Sequence, residues 1–126
     1  MKDFVNFELA KRLKEKGFSL EKTEIYGKFD SDGLFHSQLY FNYIETMDYD
    51  ETIAPTISQV LKWLRDEKKL YVGVTYSPKI EGSQDFYYAT IQYIVDYKKT
   101  IYPNDSYVCW EGAILNGIEY AIDNLI

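Results

Sequence analysis

The chain has 126 residues, with 14 Lys+Arg against 20 Asp+Glu and a formal net charge of −6, and this length predicts one domain spanning residues 1–126. Its 46% hydrophobic content excludes an intrinsically disordered protein, and one histidine and one cysteine exclude an internal disulfide and a cysteine-rich zinc site. No apolar run is long enough to span a membrane, and the start Met1–Phe4 lacks the apolar segment of a signal peptide, so we expect a cytoplasmic protein with no membrane partner.

The first predicted helix begins after Asn6 and ends before Gly17. Asn6 is a candidate N-cap, with Asp3 as the alternative, and Gly17 follows a basic last turn, a common position for a helix-ending glycine. One apolar stripe lies between them, formed by Leu9, Ala10 and Leu13. The pattern favours an amphipathic helix on a core over the alternative, a basic helix on a membrane or nucleic acid.

A β-hairpin is predicted next, from residues 24–29 and 34–44. These aromatic and β-branched runs flank Asp30-Ser31-Asp32-Gly33, and Asp-Gly between such runs is a strong hairpin signal. The tetrapeptide also begins like a calcium loop, but apolar residues stand where the later ligands and the glycine are needed. We therefore expect a turn and no metal site.

Acidic residues are concentrated between residues 23 and 60, which hold seven acids and one base. Within this region we expect an acidic loop over 47–53, with Asp48, Asp50 and Glu51 as a candidate docking patch for a basic partner. The alternative is that these acids complement the positive end of the dipole of the following helix.

The second helix is predicted from Pro55 to Lys68, with proline at the first helical position, where its missing N–H costs nothing. Trp63 is expected at the border between core and surface. The apolar positions repeat with helical spacing and form a core-facing stripe: Ile57, Val60, Leu61 and Leu64.

A second strand pair is predicted over residues 70–77 and 86–98. In the longer strand the odd-numbered residues from Tyr87 to Tyr97 share one face, which we expect to face the core. The even-numbered face carries Phe86, Tyr88 and Ile94, and we take these three as a candidate binding face or interface. Gly73 in the shorter strand indicates either a bulge or close packing against a large aromatic side chain.

A turn over residues 98–106 and a closing helix complete the chain, with Asp105 or Ser106 expected as the N-cap. The residues on the apolar stripe of this helix are Trp110, Ala113, Ile114, Gly117, Ile118, Ala121, Ile122 and Leu125. Ala113, Gly117 and Ala121 are spaced by four, a flat ridge that suits close packing on the sheet or the second helix; the alternative is a helix crossing in a homodimer.

These elements predict an α+β fold in the order α-β-β-α-β-β-α, with a mainly antiparallel sheet and helices packed on one of its faces. The amphipathic pattern of the helices and the alternation of the strands agree on this architecture.

Catalytic residue combinations are scarce. The chain has no glycine-rich phosphate loop, its lone His36 lies on a predicted strand where exposure to solvent or a hydrogen bond is the ordinary role, and Cys109 near the last helix is expected to be buried and inert. The alternative for Cys109 is a thiol made more acidic by the helix N-terminus. We therefore expect a non-enzymatic protein with no cofactor.

The expected function is that of a small interaction protein. The alternative is a module that binds or sequesters a small ligand on the aromatic sheet face. We expect a homodimer through that face, and no nucleic-acid partner, because the chain is acidic and no basic stripe is interleaved with its aromatics.

Three stretches together resemble a family: residues 7–18 (FELAKRLKEKGF), residues 54–65 (APTISQVLKWLR) and the closing helix over 107–126, which ends in AIDNLI. The order resembles small uncharacterised proteins of phages and prophage-like elements of gut Bacteroidales. This sequence departs from that pattern at residues 106–111, where the family has a run of glutamates. The resemblance implies a mobile-element origin, a bacterial cytoplasm and an accessory role in which the chain acts on a host protein, and it carries over no catalytic residue.

Overall fold

The computed structural model describes residues 4–18, 26–38, 52–78, 86–95, 99–103, 106–107 and 109–126. The helices in these ranges are α1 (Phe7–Glu15), α2 (Ile57–Glu67) and α3 (Trp110–Asn124). The strands are β1 (Tyr26–Phe29), β2 (Phe35–Gln38), β3 (Thr52–Ala54), β4 (Leu70–Ser77), β5 (Phe86–Tyr93), β6 (Thr100–Ile101) and β7 (Ser106–Tyr107). All described pairings are antiparallel, which confirms the predicted α+β class.

The chain divides into two compact units, Met1–Val60 and Leu61–Ile126, with the boundary inside α2. The N-terminal unit contains the sheet β2-β1-β3, and the C-terminal unit contains the sheet β4-β5-β6, in which β7 also pairs with β5. The sequence pattern predicts one sheet, and the structure has two. Among the described helices, none combines the length and the apolar content needed to cross a bilayer.

Helix α1 has both of its predicted ends. The side chain of Asn6 accepts a hydrogen bond from the backbone N–H of Leu9 at 2.9 Å, as an N-cap does. At the other end Gly17 adopts φ 84°, while the N–H of Phe18 donates to the carbonyl of Leu13 at 3.0 Å. This pattern is the Schellman motif, which explains why a residue without a Cβ stands at position 17.

The predicted hairpin is confirmed, since β1 and β2 pair in register around the Asp30 turn. The carboxylate of Asp30 accepts the backbone N–H groups of Asp32 at 3.0 Å and Leu34 at 2.9 Å, and Gly33 takes φ 82°. Such a turn is built by the short polar side chain at its first position, the usual role of aspartate in turns.

Strand β3 corrects one prediction: Thr52 and Ile53, expected in the acidic loop, pair with the free side of β1. Thr52 and Ala54 are buried while Ile53 is half-buried. A strand of three residues leaves almost no periodicity in sequence and exists because a partner strand is available. The candidate docking acids Asp48, Asp50 and Glu51 lie outside the described residues.

Helix α2 begins two residues later than predicted. Thr56 is its N-cap: its hydroxyl accepts the N–H of Gln59 at 3.2 Å, and the Gln59 side chain accepts the N–H of Thr56 at 2.9 Å. This reciprocal capping box places Pro55 before the helix, so the prediction of proline at the first helical position is wrong. Trp63, expected at the border of the core, is buried.

The sheet of the C-terminal unit follows the predicted alternation of burial in the middle of β5. Ala89 and Ile91 are buried, as expected for the odd-numbered residues. The strand ends at Tyr93, however, and Val95, expected in the core, is 80% exposed in the bend that follows. The alternation beyond Tyr93 therefore predicts the wrong environment for Val95.

Residues 99–107 correct another prediction, because the expected turn contains two short strands. β6 pairs with β5 through Thr100 and Ile101, and β7 pairs with β5 through Ser106 and Tyr107. Ser106 is thus a strand residue, and Cys109 occupies the N-cap of α3 without a side-chain capping bond. Asp105, the alternative N-cap, lies outside the described residues.

Helix α3 lies on one face of the β4-β5 sheet with the predicted stripe against it. Its buried residues are Ala113, Ile114, Gly117, Ile118, Ala121 and Ile122. A Cβ added to Gly117 would lie 2.7 Å from Cγ1 of Val72 and 2.9 Å from Cβ of Ala89. Close packing on the sheet is therefore confirmed, and the Gly117 ridge is not available as a dimer surface.

Candidate functional site

The face of the C-terminal sheet opposite α3 can be assigned from the strand register. Val72 and Ala89 meet Gly117 of α3 and so point to the helix side. Neighbouring strand residues point to opposite faces, so Tyr71 and Tyr88 point away from α3. Cross-strand partners share a face, which extends this outer face across β4, β5, β6 and β7.

Four aromatic side chains occupy this outer face, and we call Tyr71, Phe86, Tyr88 and Tyr102 the aromatic face. Tyr71 is 54% exposed, Phe86 38% and Tyr102 59%, and Tyr88 is half-buried between two of them. The Tyr88 ring centroid lies 6.2 Å from that of Phe86 and 6.3 Å from that of Tyr102. Tilted rings at these separations are within the range of favourable aromatic pairs.

The rest of the outer face carries no charge among the described residues. Its other members, read from the same register, are Gly73, Thr75, Ser77, Thr90, Gln92, Thr100 and Ser106. In a chain with 27% charged residues, an uncharged and aromatic face differs from an ordinary solvated surface. Enrichment in aromatic residues and depletion of charge are the composition of protein interface cores.

The structure brings together two of the three residues predicted for this face. Phe86 and Tyr88 are neighbours on it, whereas Ile94 lies just past the end of β5, roughly 20 Å along the strand from Tyr88. Ile94 is 45% exposed, but its backbone is held at the other end of the pair, where its N–H bonds to the carbonyl of Lys69 at 3.0 Å. It is therefore separate from Phe86 and Tyr88 and lies at the Tyr71 end of the strand pair.

Two residues of the aromatic face were not predicted, Tyr71 and Tyr102. Tyr71 could have been found from the alternation of β4, in which it stands opposite to Leu70 and Val72. Tyr102 follows Thr100 at the two-residue spacing of a strand, a signal too short to separate from a turn. Its position beside Tyr88 follows from the β5-β6 pairing.

Gly73 leaves room on the outer face for the Tyr71 ring. A Cβ on Gly73 would lie 3.2 Å from Cε1 of Tyr71 and 3.6 Å from the hydroxyl of Thr90. The strand register passes through Gly73 without a bulge. Of the two readings of this glycine, close packing against an aromatic side chain is therefore confirmed.

A cavity of about 350 Å³ lies beside β4 in the same unit. Its walls are Leu61, Arg65, Tyr71, Val72, Gly73, Val74, Trp110 and Ile114. Arg65 is the only charged residue in this lining, and its Nε donates to Oδ1 of the adjacent Asp66 at 3.2 Å. The walls of the cavity are thus mixed, with apolar side chains beside polar atoms and one guanidinium group.

The N-terminal unit contains the single histidine of the chain, His36. His36 is exposed, as predicted, with its Nε2 3.0 Å from Oδ2 of Asp30. The hydrogen bond with His36, helped by the backbone N–H groups of Leu34 and Asp32, lowers the pKa of Asp30. In the part of the chain that the structure describes, no group of three His, Cys, Asp or Glu side chains could hold a metal ion.

Cys109 is exposed at the start of α3, so the expectation of a buried cysteine is wrong. It precedes the first helical residue, Trp110, and its backbone is extended.

Comparison of the chain with models of protein families, with curated proteins and with solved structures finds no match. The function therefore has to be argued from the geometry described above.

Proposed function

We propose that this chain is a non-enzymatic binding protein that recognises a partner protein through the aromatic face. The observation that carries the proposal is the coincidence of exposed rings and missing charge on one side of the sheet. Tyrosine supplies rigid contact area at a small cost in conformational entropy, which is why it is common at binding surfaces. The chemistry of the partner follows: an uncharged patch with apolar side chains.

Mobile-element origin and action on a host protein in the bacterial cytoplasm belong to the same proposal and rest on the sequence resemblance. A nucleic acid is a poor fit for this face, because its described outward residues include no Lys or Arg to contact phosphates. Catalysis is not proposed, since the described outward residues of this face include no Asp, Glu, His, Lys, Arg or Cys.

The proposal is tested by capture from a bacterial lysate with wild-type chain and two variants. Tyr102→Ser removes an exposed ring from the aromatic face, and Leu34→Ser removes a similarly exposed apolar side chain, 62% exposed, from the hairpin turn of the N-terminal unit. We expect a protein captured by wild type and Leu34→Ser but lost with Tyr102→Ser. Capture that is indifferent to Tyr102→Ser would contradict the proposal.

Native mass spectrometry of the same preparations distinguishes a partner protein from a small ligand bound to the aromatic face. A small mass retained by wild type and lost with Tyr102→Ser would favour sequestration of a ligand on the aromatic face. A retained partner protein with the same dependence supports the proposal.

A further inference from the structure

The outer edge of β4 has backbone hydrogen-bonding groups with no strand beside them in the described part of the chain. The bond from the Ile94 N–H to the Lys69 carbonyl sets the phase of the antiparallel ladder. In an antiparallel pair every second residue forms backbone hydrogen bonds to the partner strand. Lys69 bonds to Ile94, so Tyr71, two residues later, also bonds to β5. Val72 and Val74 then direct their N–H and C=O groups away from β5, toward the edge.

The cavity lies along this same edge. Tyr71, Val72, Gly73 and Val74 are consecutive in β4 and all line it. Side chains of consecutive strand residues alternate between faces, so a single cavity can touch four in a row only along the backbone edge. The volume of about 350 Å³ is at the lower end of the range for binding sites.

The sequence of β4 does not protect its edge against pairing. The strand reads LYVGVTYS over eight residues, with no charged side chain and no proline. Natural proteins commonly block exposed edges with lysine, proline or a bulge, because an unprotected edge pairs with other chains. β4 has none of these features and runs without a bulge in its register with β5.

The positive charge of Arg65 in the cavity lining indicates which kind of segment would pair with the edge of β4. Arg65 uses its Nε for Asp66, and a guanidinium has further N–H donors on its two Nη atoms, which suit a carboxylate. A second copy of β4 would bring no acid to Arg65, because LYVGVTYS contains none. β4 continues past the cavity to Ser77, so a paired segment extends beyond it and the carboxylate belongs to a side chain within the segment.

We propose that the edge of β4 binds an extended segment of a partner protein as an additional antiparallel or parallel strand, with an Asp or Glu side chain of that segment on Arg65. Main-chain bonds to Val72 and Val74 supply the affinity, and an apolar side chain of the segment enters the cavity beside Trp110. This mode is β-strand addition. The site goes beyond the aromatic face and can hold or fail separately from it.

The first test selects random nine-residue peptides displayed on phage against the full chain. We expect enriched peptides with alternating apolar residues and an Asp or Glu at one fixed position. A synthetic copy of the best peptide should bind Arg65→Gln roughly tenfold more weakly than wild type. Lys62→Gln, which removes the same charge from an exposed position of α2 outside the cavity lining, should leave the affinity unchanged.

The second test uses backbone methylation of that synthetic peptide. Methylating one N–H at a time should abolish binding at alternate residues only, since only every second residue of an added strand faces β4. Tyr102→Ser should bind the peptide as wild type does, which separates this site from the aromatic face.

Three outcomes would overturn the proposal. They are a failure to enrich any peptide, equal binding to Arg65→Gln and Lys62→Gln, and a methylation profile without alternation. A dimer that takes no peptide and dissociates with Val74→Pro would assign the edge to a second copy of the chain instead. Val74→Pro removes an outward N–H and leaves the bonds to β5 in place.

Discussion

The packing of α3 on the sheet depends on the absence of one Cβ atom, that of Gly117. Gly117 approaches Val72 and Ala89 so closely that a Cβ would lie within 3.0 Å of both, and the Ala89 Cβ is attached to a strand backbone that cannot yield cheaply. A helical glycine otherwise costs up to about 1 kcal/mol relative to alanine. The missing methyl group allows the helix to reach the sheet.

We expect Gly117→Leu to lower the free energy of unfolding by about 1 to 3 kcal/mol through overpacking. Urea denaturation measures this, and Glu119→Leu, at a half-buried position of the same helix, is the control for adding a leucine to α3. Unchanged or higher stability of Gly117→Leu would show that the helix can move away from the sheet without cost.

A second residue-scale prediction concerns pH. The pKa of Asp30 is lowered from its ordinary value of 3.8, chiefly by the hydrogen bond with His36 and then by the N–H of Leu34. Because the folded pKa is below the unfolded one, ionised Asp30 stabilises the fold above pH 3.8, and this contribution is lost as the pH falls through the folded pKa.

Titration of the Asp30 carboxyl carbon by NMR should therefore give a midpoint below 3.8, and His36→Gln should raise that midpoint. A midpoint at or above the ordinary value in the wild-type chain would mean that the turn does not favour the ionised form.

At the scale of elements, the ends of the helices are set by local pairs. The capping box of Thr56 and Gln59 satisfies an N–H group at each of its two positions, and these bonds start α2 after Pro55. We expect Thr56→Ala to reduce the free energy of unfolding by about 1 kcal/mol. Ser58→Ala, at an exposed position of the first turn, is the matched control in the same urea titrations. Equal losses for the two variants would show that the cap contributes nothing specific.

Most features encoded by neighbouring residues could be predicted from sequence, although the local capping box that starts α2 is an exception. Features that need a partner strand could not be predicted. The cap at Asn6, the Gly17 end, the hairpin turn and the stripe of α3 are local patterns, and each is present. Strands β3, β6 and β7 have two or three residues, and they form only because β1 and β5 have edges with which they can pair.

Some residues of the candidate site can likewise be predicted from sequence, and others cannot. Alternation alone places Phe86 and Tyr88 on one face of β5. The addition of Tyr102 requires the β5-β6 pairing, and that of Tyr71 requires the β4-β5 register. The cavity requires three elements, because Arg65, Val72 and Trp110 come from α2, β4 and α3. Neither hydrophobic periodicity nor spacing indicates such a meeting.

At the scale of the whole molecule, charge and exposed area have opposite effects on self-association. The net charge of −6 makes two copies repel at long range, while the aromatic face carries no charge where two copies would meet. An isologous contact places the same residues of both copies against each other, so the uncharged face is suited to pairing with itself. Such a dimer would use the surface that we assign to a partner protein, and the partner would displace the second copy.

The size of the face predicts how strong this dimer is. Eight residues of β4 or β5 extend roughly 25 Å, and three paired strands are about 15 Å wide. A face of these dimensions has a smaller area than the ~800 Å² that each partner buries in a standard stable interface. We therefore expect a homodimer that dissociates on dilution.

Light scattering over a concentration series should show a mass approaching twice 14.9 kDa at high concentration, and Tyr88→Glu should give the monomer mass throughout. Ile94→Glu tests whether the interface reaches the end of β5, and Leu34→Glu, in the hairpin turn of the N-terminal unit, is the control for an added charge at an exposed apolar residue. A wild type that is monomeric at every concentration, or a dimer insensitive to Tyr88→Glu, would mean that the aromatic face does not pair with itself.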